Sequence, residues 1–256
     1  MPLTLVTVPC LSDNYAFLLN DSDTGATLLV DIPEAEPIIA MLQQRGWSLT
    51  DILITHHHHD HIQGLAGVVA HDAYLRVTGA AADAHRLPPL SRAVSDGDTF
   101  VFSGHTIHVL DVSGHTLGHL AYYIPDAGAV FTGDSLMALG CGRLFEGDAP
   151  TMWASLQKLA ALPPETLVCS GHEYTAKNAE FALSVEPDNA ELIARAARIA
   201  ADRAEWHPTV PSVLSDELAT NPFLRVYLPK VKETLSLTGH SDAEVFAALR
   251  ARKDRF

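Results

Sequence analysis

The run Thr55-His56-His57-His58-His59-Asp60-His61 gathers imidazole and carboxylate donors directly behind the apolar segment DILIT at 51–55. In an extended chain, side chains two apart point the same way, so His56 and His58 can reach one ion while His57 and His59 act as spacers. Asp60 and His61 follow as the chain turns toward a helix expected over 61–70, and can face a second ion. A histidine run can also be a surface accident or a purification tag. This one is internal, bounded by an apolar strand and a glycine-bearing helix start, which favours a metal loop.

Three more donors stand where strands end: Gly114-His115, Gly133-Asp134 and Gly171-His172. A glycine before each lets the backbone turn sharply or approach closely, so the side chain can project into a shared cleft. Each pair alone reads as an ordinary turn; together they complete a set for two ions. His56, His58 and His115 would hold one, Asp60, His61 and His172 the other, and Asp134 would bridge. Nitrogen and oxygen donors without thiolate suit zinc, manganese or iron. Two such ions about 3.5–4 Å apart lower the pKa of a shared water from 15.7 toward roughly 7, which gives a hydroxide nucleophile at neutral pH. The same charge stabilises a tetrahedral oxyanion.

These donors need strands to carry them. LTLVTVP (3–9), YAFLLN (15–20), ATLLVDI (26–32) and DILIT (51–55) are β-branched and apolar, separated by Asp, Asn, Ser and Gly. Helical spacing over 34–45 ends at Gly46, a plausible C-cap. Strands are expected at 74–78, 99–103, 106–112, 119–124, 129–133 and 166–170, with a helix at 151–161. Helices recurring among strands favour two sheets flanked by helices over an alternating parallel sheet. From about residue 173 the pattern becomes helical, over 175–185, 189–206 and 241–253, and Ser241-x-x-Glu244 reads as a capping box. The expected division is 1–172 for the catalytic domain and 173–256 for a smaller all-helical domain. Trp153 and Trp206 read as core.

The 256 residues carry 17 basic and 31 acidic side chains, a formal charge of -14, which argues against nucleic acid as a partner. At 47% hydrophobic, the chain can bury a core. Cys10, Cys141 and Cys169 are scattered, with no CxxC pair to build a thiolate zinc site or a disulfide framework, and they suit a reducing compartment. Neither a signal peptide nor a run long enough to span a membrane is read. The expectation is a cytoplasmic protein, taken as a monomer, with no membrane partner.

Written T-H-x-H-x-D-H, residues 55–61 resemble the signature of the metallo-β-lactamase superfamily, and His115, Asp134 and His172 fall in its order of later ligands. The resemblance implies an α/β fold, an αββα sandwich, with two divalent ions; zinc is placed first, iron or manganese second. CGRLFEG (141–147), GHEYT (171–175), FALSVEPDN (181–189), ELATNPFLR (217–225) and the terminal RxxKDxF pattern (250–256) are similar to the glyoxalase II family, the hydroxyacylglutathione hydrolases. That likeness implies hydrolysis of S-(2-hydroxyacyl)glutathione, chiefly S-lactoylglutathione, to glutathione and D-lactate, the second step of methylglyoxal detoxification. It implies glutathione contacts from Arg143, Tyr174, Arg250 and Lys253, with Asn178 a weaker candidate. Asp60 is expected both to bind metal and to orient the nucleophile. Phe145 stands where some members have Tyr, Ser113 where the family often has Pro, and Ser135 where it has Thr.

A thiol has a pKa near 8.5, so a thiolate leaves with little general-acid help, and the lack of a Ser-His-Asp or Cys-His set is no gap. Arg250 and Lys253, at i and i+3, share a helix face. Arg252 and Arg255 read as ordinary cations at a helix C-terminus. His119 is expected to support the site by a hydrogen bond instead of binding an ion. Competing readings are a lactonase, another thioesterase, a β-lactamase or nuclease of the same superfamily, a persulfide dioxygenase, and a non-catalytic metal-storage or scaffold protein. Neither the charge nor the tail favours them.

Overall fold

Runs of Val, Leu, Ile and Thr broken by Asp, Asn and Gly become strands because branched side chains fit a pleated, buried surface. The computed structural model describes residues 3–71 and 75–256. They form two compact units, one of Met1–Asp111 with Leu117–Gly133, the other of Val112–Thr116 with Asp134–Phe256.

In the first unit, β1 (Leu3–Cys10), β2 (Asn14–Asp21), β3 (Ala26–Val30), β4 (Ser48–Leu53), β5 (Arg76–Ala80) and β6 (Arg92–Val94) lie side by side in that order. The first three run antiparallel, and β3 to β6 run parallel. A parallel step needs a crossover. Between β3 and β4 it is α1 (Ala35–Arg45), which buries Ile38 and Leu42 and ends on Gly46 in the left-handed conformation. Four further strands, β7 (Thr99–Phe102), β8 (His105–Asp111), β9 (Leu120–Ile124) and β10 (Ala129–Gly133), form an antiparallel meander. Phe17 on β2 packs on Phe131 on β10 with ring centroids 5.7 Å apart. The Tyr122 hydroxyl on β9 donates to the Ile54 carbonyl at 2.9 Å. These contacts lie in the buried interior of the unit.

The helix expected over 61–70 is two short ones, α2 (His59–Ile62) and α3 (Leu65–His71). It breaks because the Gly64 amide leaves the helix to bond the Ile32 carbonyl at 2.9 Å. The strand expected over 51–55 stops at Leu53, since the Thr55 amide donates to the Asp31 side chain instead. Residue 74, where another strand was expected to begin, lies outside the described residues; that strand is seen from Arg76.

The second unit holds a hairpin of β11 (Leu136–Met137) and β12 (Gly140–Cys141), then α4 (Ala149–Ala160) and β13 (Leu167–Ser170). Next come α5 (Thr175–Val185), α6 (Ala190–Ala204) and β14 (Ser212–Val213), which pairs with β13. The chain closes with α7 (Leu214–Thr220), α8 (Pro229–Thr234) and α9 (Asp242–Lys253). Phe181, Phe223 and Phe246 are fully buried; Phe223 stacks on Phe181 and meets Phe246 edge to face, both at 5.9 Å between centroids. Burying each ring contributes roughly 1.5–3 kcal/mol. The capping box of Ser241 and Glu244 at the start of α9 adds only about 1 kcal/mol, so the aromatic cluster dominates. Arg225 clasps Glu186 through two hydrogen bonds of 2.9 and 3.0 Å, tying the residues after α7 to the end of α5.

Trp153 is half-buried against Phe246, as expected of a core-facing ring. Trp206 is not core: it is 83% exposed. It lies just beyond the end of α6 with φ +61°, and that reversal turns the indole outward.

Candidate metal centre and substrate cleft

Each unit brings its own set of donors. In the first, the chain leaves β4 and is fixed at once by Asp31, which accepts from the Thr55 amide and hydroxyl, both at 2.8 Å. Asp31 also takes the Nδ1 of His61 at 2.8 Å. A ring nitrogen occupied in this way sets the tautomer, so His61 presents Nε2. His56 has Nδ1 beside the Thr55 hydroxyl at 3.0 Å and presents Nε2, which lies 3.1 Å from Nδ1 of His58. Two nitrogens bound at about 2.0–2.1 Å to a tetrahedral ion stand roughly 3.3 Å apart, so this pair is spaced to share one. The Asp60 carboxylate lies 3.9 Å from His61 Nε2 and accepts from Asn14 Nδ2 at 3.1 Å.

The spacers behave as expected. His57 faces Asp83, 3.0 Å away, and His59 is exposed. His119 is fully buried and stacks on His56, centroids 4.5 Å apart at 13°. Its ring thus backs the His56 imidazole.

In the second unit, Asp134 Oδ2 lies 3.4 Å from His115 Nε2 and 3.3 Å from His172 Nε2. One carboxylate oxygen thus faces two imidazole nitrogens at the spacing of donors around a metal. His115 Nδ1 donates to the Arg143 carbonyl at 2.8 Å, which leaves Nε2 as the donor toward an ion. Tyr174 stacks flat on His172, centroids 4.7 Å apart. Gly142 passes directly behind the pair: a Cβ there would stand 2.0 Å from the Asp134 carbonyl oxygen and 2.9 Å from His115 Nδ1. The chain can fold back here only without a side chain. The donor chemistry of both sets, with the tautomers that Asp31 and the Arg143 carbonyl fix for His61 and His115, fits divalent metal ions.

A cleft of about 630 Å³ in the second unit is lined by His115 and Asp134 and also by Arg143, Tyr174, Arg250 and Lys253. The four residues expected to bind substrate therefore share it, and Asn178 joins them. Their situations differ. Arg143 is largely exposed, 3.9 Å from Asp254. Arg250 is buried: its guanidinium donates to the Cys141 carbonyl at 2.8 Å and to Asp254 at 3.0 Å, with its charge over the Phe223 ring. Asn178 is buried too and donates to the Ala138 carbonyl at 3.0 Å. Lys253 donates to the Lys177 carbonyl at 3.1 Å and lies near the rings of Phe181 and Phe256. Burial, reinforced by the Arg250 charge, brings its ammonium down to about 8.

Asp31, Asn14 and Lys177 were not singled out from the sequence. Asp31 ends a strand as Asp134 does, and that position was the available signal; Asn14 and Lys177 carry none.

The model of the metallo-β-lactamase superfamily matches residues 12–172, and that of the hydroxyacylglutathione hydrolase C-terminus matches 173–256. A hydroxyacylglutathione hydrolase from Ruegeria pomeroyi is 62% identical over all of both chains, and one from Roseobacter denitrificans is 59% identical with the same coverage. Among solved structures, the BLEG-1 B3 metallo-β-lactamase has a TM-score of 0.67 at 21% identity, over 86% of this chain and 99% of that one, a likeness of fold. The protein TTHA1623, solved in a di-iron-bound form, has a TM-score of 0.57 at 31% identity, over 66% of this chain and 91% of that one. No helix among the described residues is long and apolar enough to cross a membrane. The β-rich part carries the metallo-β-lactamase fold, the tail is the helical domain that accompanies it, and the chain belongs to the hydroxyacylglutathione hydrolase family.

Proposed function

We propose that the chain hydrolyses the thioester of S-(2-hydroxyacyl)glutathione, chiefly S-lactoylglutathione, releasing glutathione and a 2-hydroxy acid as the second step of methylglyoxal detoxification. One observation carries this reading: His115 and Asp134 line the same cleft as Arg143 and Lys253, so metal donors and cations share one space. The substrate carries two carboxylates into a protein of net charge -14, and local cations reverse the potential where it binds.

His56, His58 and His115 would hold one ion and Asp60, His61 and His172 the other, with Asp134 available to both. Zinc is the first assignment and iron the second, given the di-iron-bound relative. When bound, the ions supply an acidified water and positive charge for an oxyanion. Asp31 holds His61 in one tautomer, and the Arg143 carbonyl does the same for His115. Asn14 donates to the Asp60 carboxylate, which would orient the attacking water and help take up its proton. Arg143, Tyr174, Arg250 and Lys253 hold the peptide, so that the thioester carbon is presented to that water. The C–O bond forms first and turns the carbonyl into a tetrahedral oxyanion; its collapse breaks the C–S bond, and the sulfur leaves as a thiolate that water protonates.

Residues 1–172 are assigned the chemistry, and 173–256, with Arg143, the grip on glutathione. Three buried free thiols support a reducing, cytoplasmic setting, and we take the working form as a monomer. The test offers the purified, metal-analysed protein S-lactoylglutathione beside a lactone, a β-lactam and a phosphodiester. Turnover of the thioester is expected; activity confined to the other three would sink the reading.

A further inference from the structure

The segment ELATNPFLR at 217–225 supplies neither a metal donor nor a residue to the cleft lining, yet it carries the acidic half of a buried ion pair. Glu217 is fully buried and pairs with Arg195, which also donates to the Thr220 hydroxyl at 2.7 Å. The other carboxylate oxygen of Glu217 accepts from the Leu139 amide at 2.8 Å. Asn221, the residue ending α7, donates to that same oxygen at 3.0 Å, to the Gly140 carbonyl at 3.0 Å and to the Met137 carbonyl at 3.2 Å. All three backbone groups belong to the hairpin β11–β12.

Two more helices reach the same hairpin. Asn178 of α5 takes the Ala138 carbonyl, and Arg250 of α9 takes the Cys141 carbonyl. From residue 137 to 141, each residue has a backbone group bonded to a side chain of the tail. The turn residue Leu139, at φ +55°, inserts its side chain among Ala179, Ala182, Leu192 and Ile199 of α5 and α6. A hairpin of two-residue strands has almost no stability of its own, and its buried amides and carbonyls need partners. The tail provides these partners. Just upstream of the hairpin is Asp134, and just downstream are Gly142 and Arg143.

We propose that Glu217 and Asn221 are positioning residues: with Leu139 as the plug, they latch the 136–141 hairpin and thereby set where Arg143 and the cleft floor stand for substrate. The idea rests on the glutathione-thioester reading for its kinetic arm only. It assigns the tail a second task besides contacting substrate, which is to hold the cleft wall.

Loss of a buried charge partner would confuse the test, so the ion pair is removed as a unit. Arg195→Met with Glu217→Met replaces it with apolar groups of similar size, a change proteins often tolerate, and removes the acceptor for the Leu139 amide. Arg195→Met with Glu217→Gln also removes the pair but keeps an oxygen for that amide. The first double variant is expected to raise KM for S-lactoylglutathione about tenfold, with kcat within about twofold and metal content unchanged. The second is expected to return KM toward the parent value. A parent KM in the first variant would overturn the latch, as would parallel loss of kcat and metal. Hydrogen exchange on the unaltered protein covers a failure of either variant to fold. The Leu139 amide is expected to open together with the α7 amides as denaturant is raised, and opening independent of α7 would overturn the proposal. If the unaltered protein does not turn over S-lactoylglutathione, the function reading fails while the exchange result still decides the latch.

Discussion

The carboxylate of Asp31 lies 2.8 Å from His61 Nδ1 and accepts two further hydrogen bonds from Thr55, so one side chain sets both the start of the histidine loop and the tautomer of an imidazole within it. Partners of this kind typically contribute 10–100-fold to metal affinity. Asp31→Ala is therefore expected to lower metal affinity by about that factor, read by competition with a chelator of known strength. Affinity equal to the parent's would remove Asp31 from the site.

Metal removal gives a second test. Dialysis against a strong chelator should abolish thioester hydrolysis, and zinc or iron should restore it. His58→Ala and His172→Ala should each lower the bound-metal count as well as the rate. Full activity with intact metal content in either variant would refute that ligand.

Lys253 gives a pH signature. Its ammonium ionises near 8 in the folded protein, against 10.5 for an ordinary lysine, because burial and then Arg250 disfavour the charge. The cation that draws a carboxylate is present below about pH 8 and is lost above it. kcat/KM reports the free enzyme, so it should fall as pH rises through about 8. In Lys253→Gln that limb should disappear and the value at pH 7 should already be low; an unchanged limb would assign it to another group. The sign for stability is opposite. Between about 8 and 10.5 the unfolded chain binds the extra proton, so this group's contribution to stability rises with pH.

Arg225→Ala should destabilise the helical tail by about 3–5 kcal/mol, because it strands the buried Glu186 carboxylate. Urea unfolding followed by far-ultraviolet circular dichroism reads this, and a loss below about 1 kcal/mol would mean that water replaces the guanidinium.

The thiols should be silent. Cys10, Cys141 and Cys169 are free and buried, and burial raises all three, Cys10 to about 12. Since the thiolate is the reactive form, an aromatic disulfide reagent should label them only as urea unfolds the chain. Fast labelling of Cys141 in the native protein would show that the cleft opens further than its closed walls suggest.

The grouping of His56 with His58 was legible because its logic is local: a two-residue period after a strand puts these imidazoles on one side. His115, Asp134 and His172 were legible as strand-end residues. The partners that hold them were not. Asp31 and Asn14 act on residues about 30 and 46 positions away, and no short pattern records such a pair. The hairpin β11–β12 was missed for a related reason, since two-residue strands held by side chains from distant helices leave no periodic trace. Trp206 shows the opposite error: a large apolar residue suggests core, but a chain reversal after a helix can turn it into solvent.

Arg143 divides its labour between backbone and side chain. Its carbonyl steadies His115, while its guanidinium reaches into the cleft. A carbonyl survives any substitution, so the position can change what the cleft recognises without loosening His115 behind it. For directed evolution toward other thioesters, that makes residue 143 a dial that turns selectivity separately from metal loading.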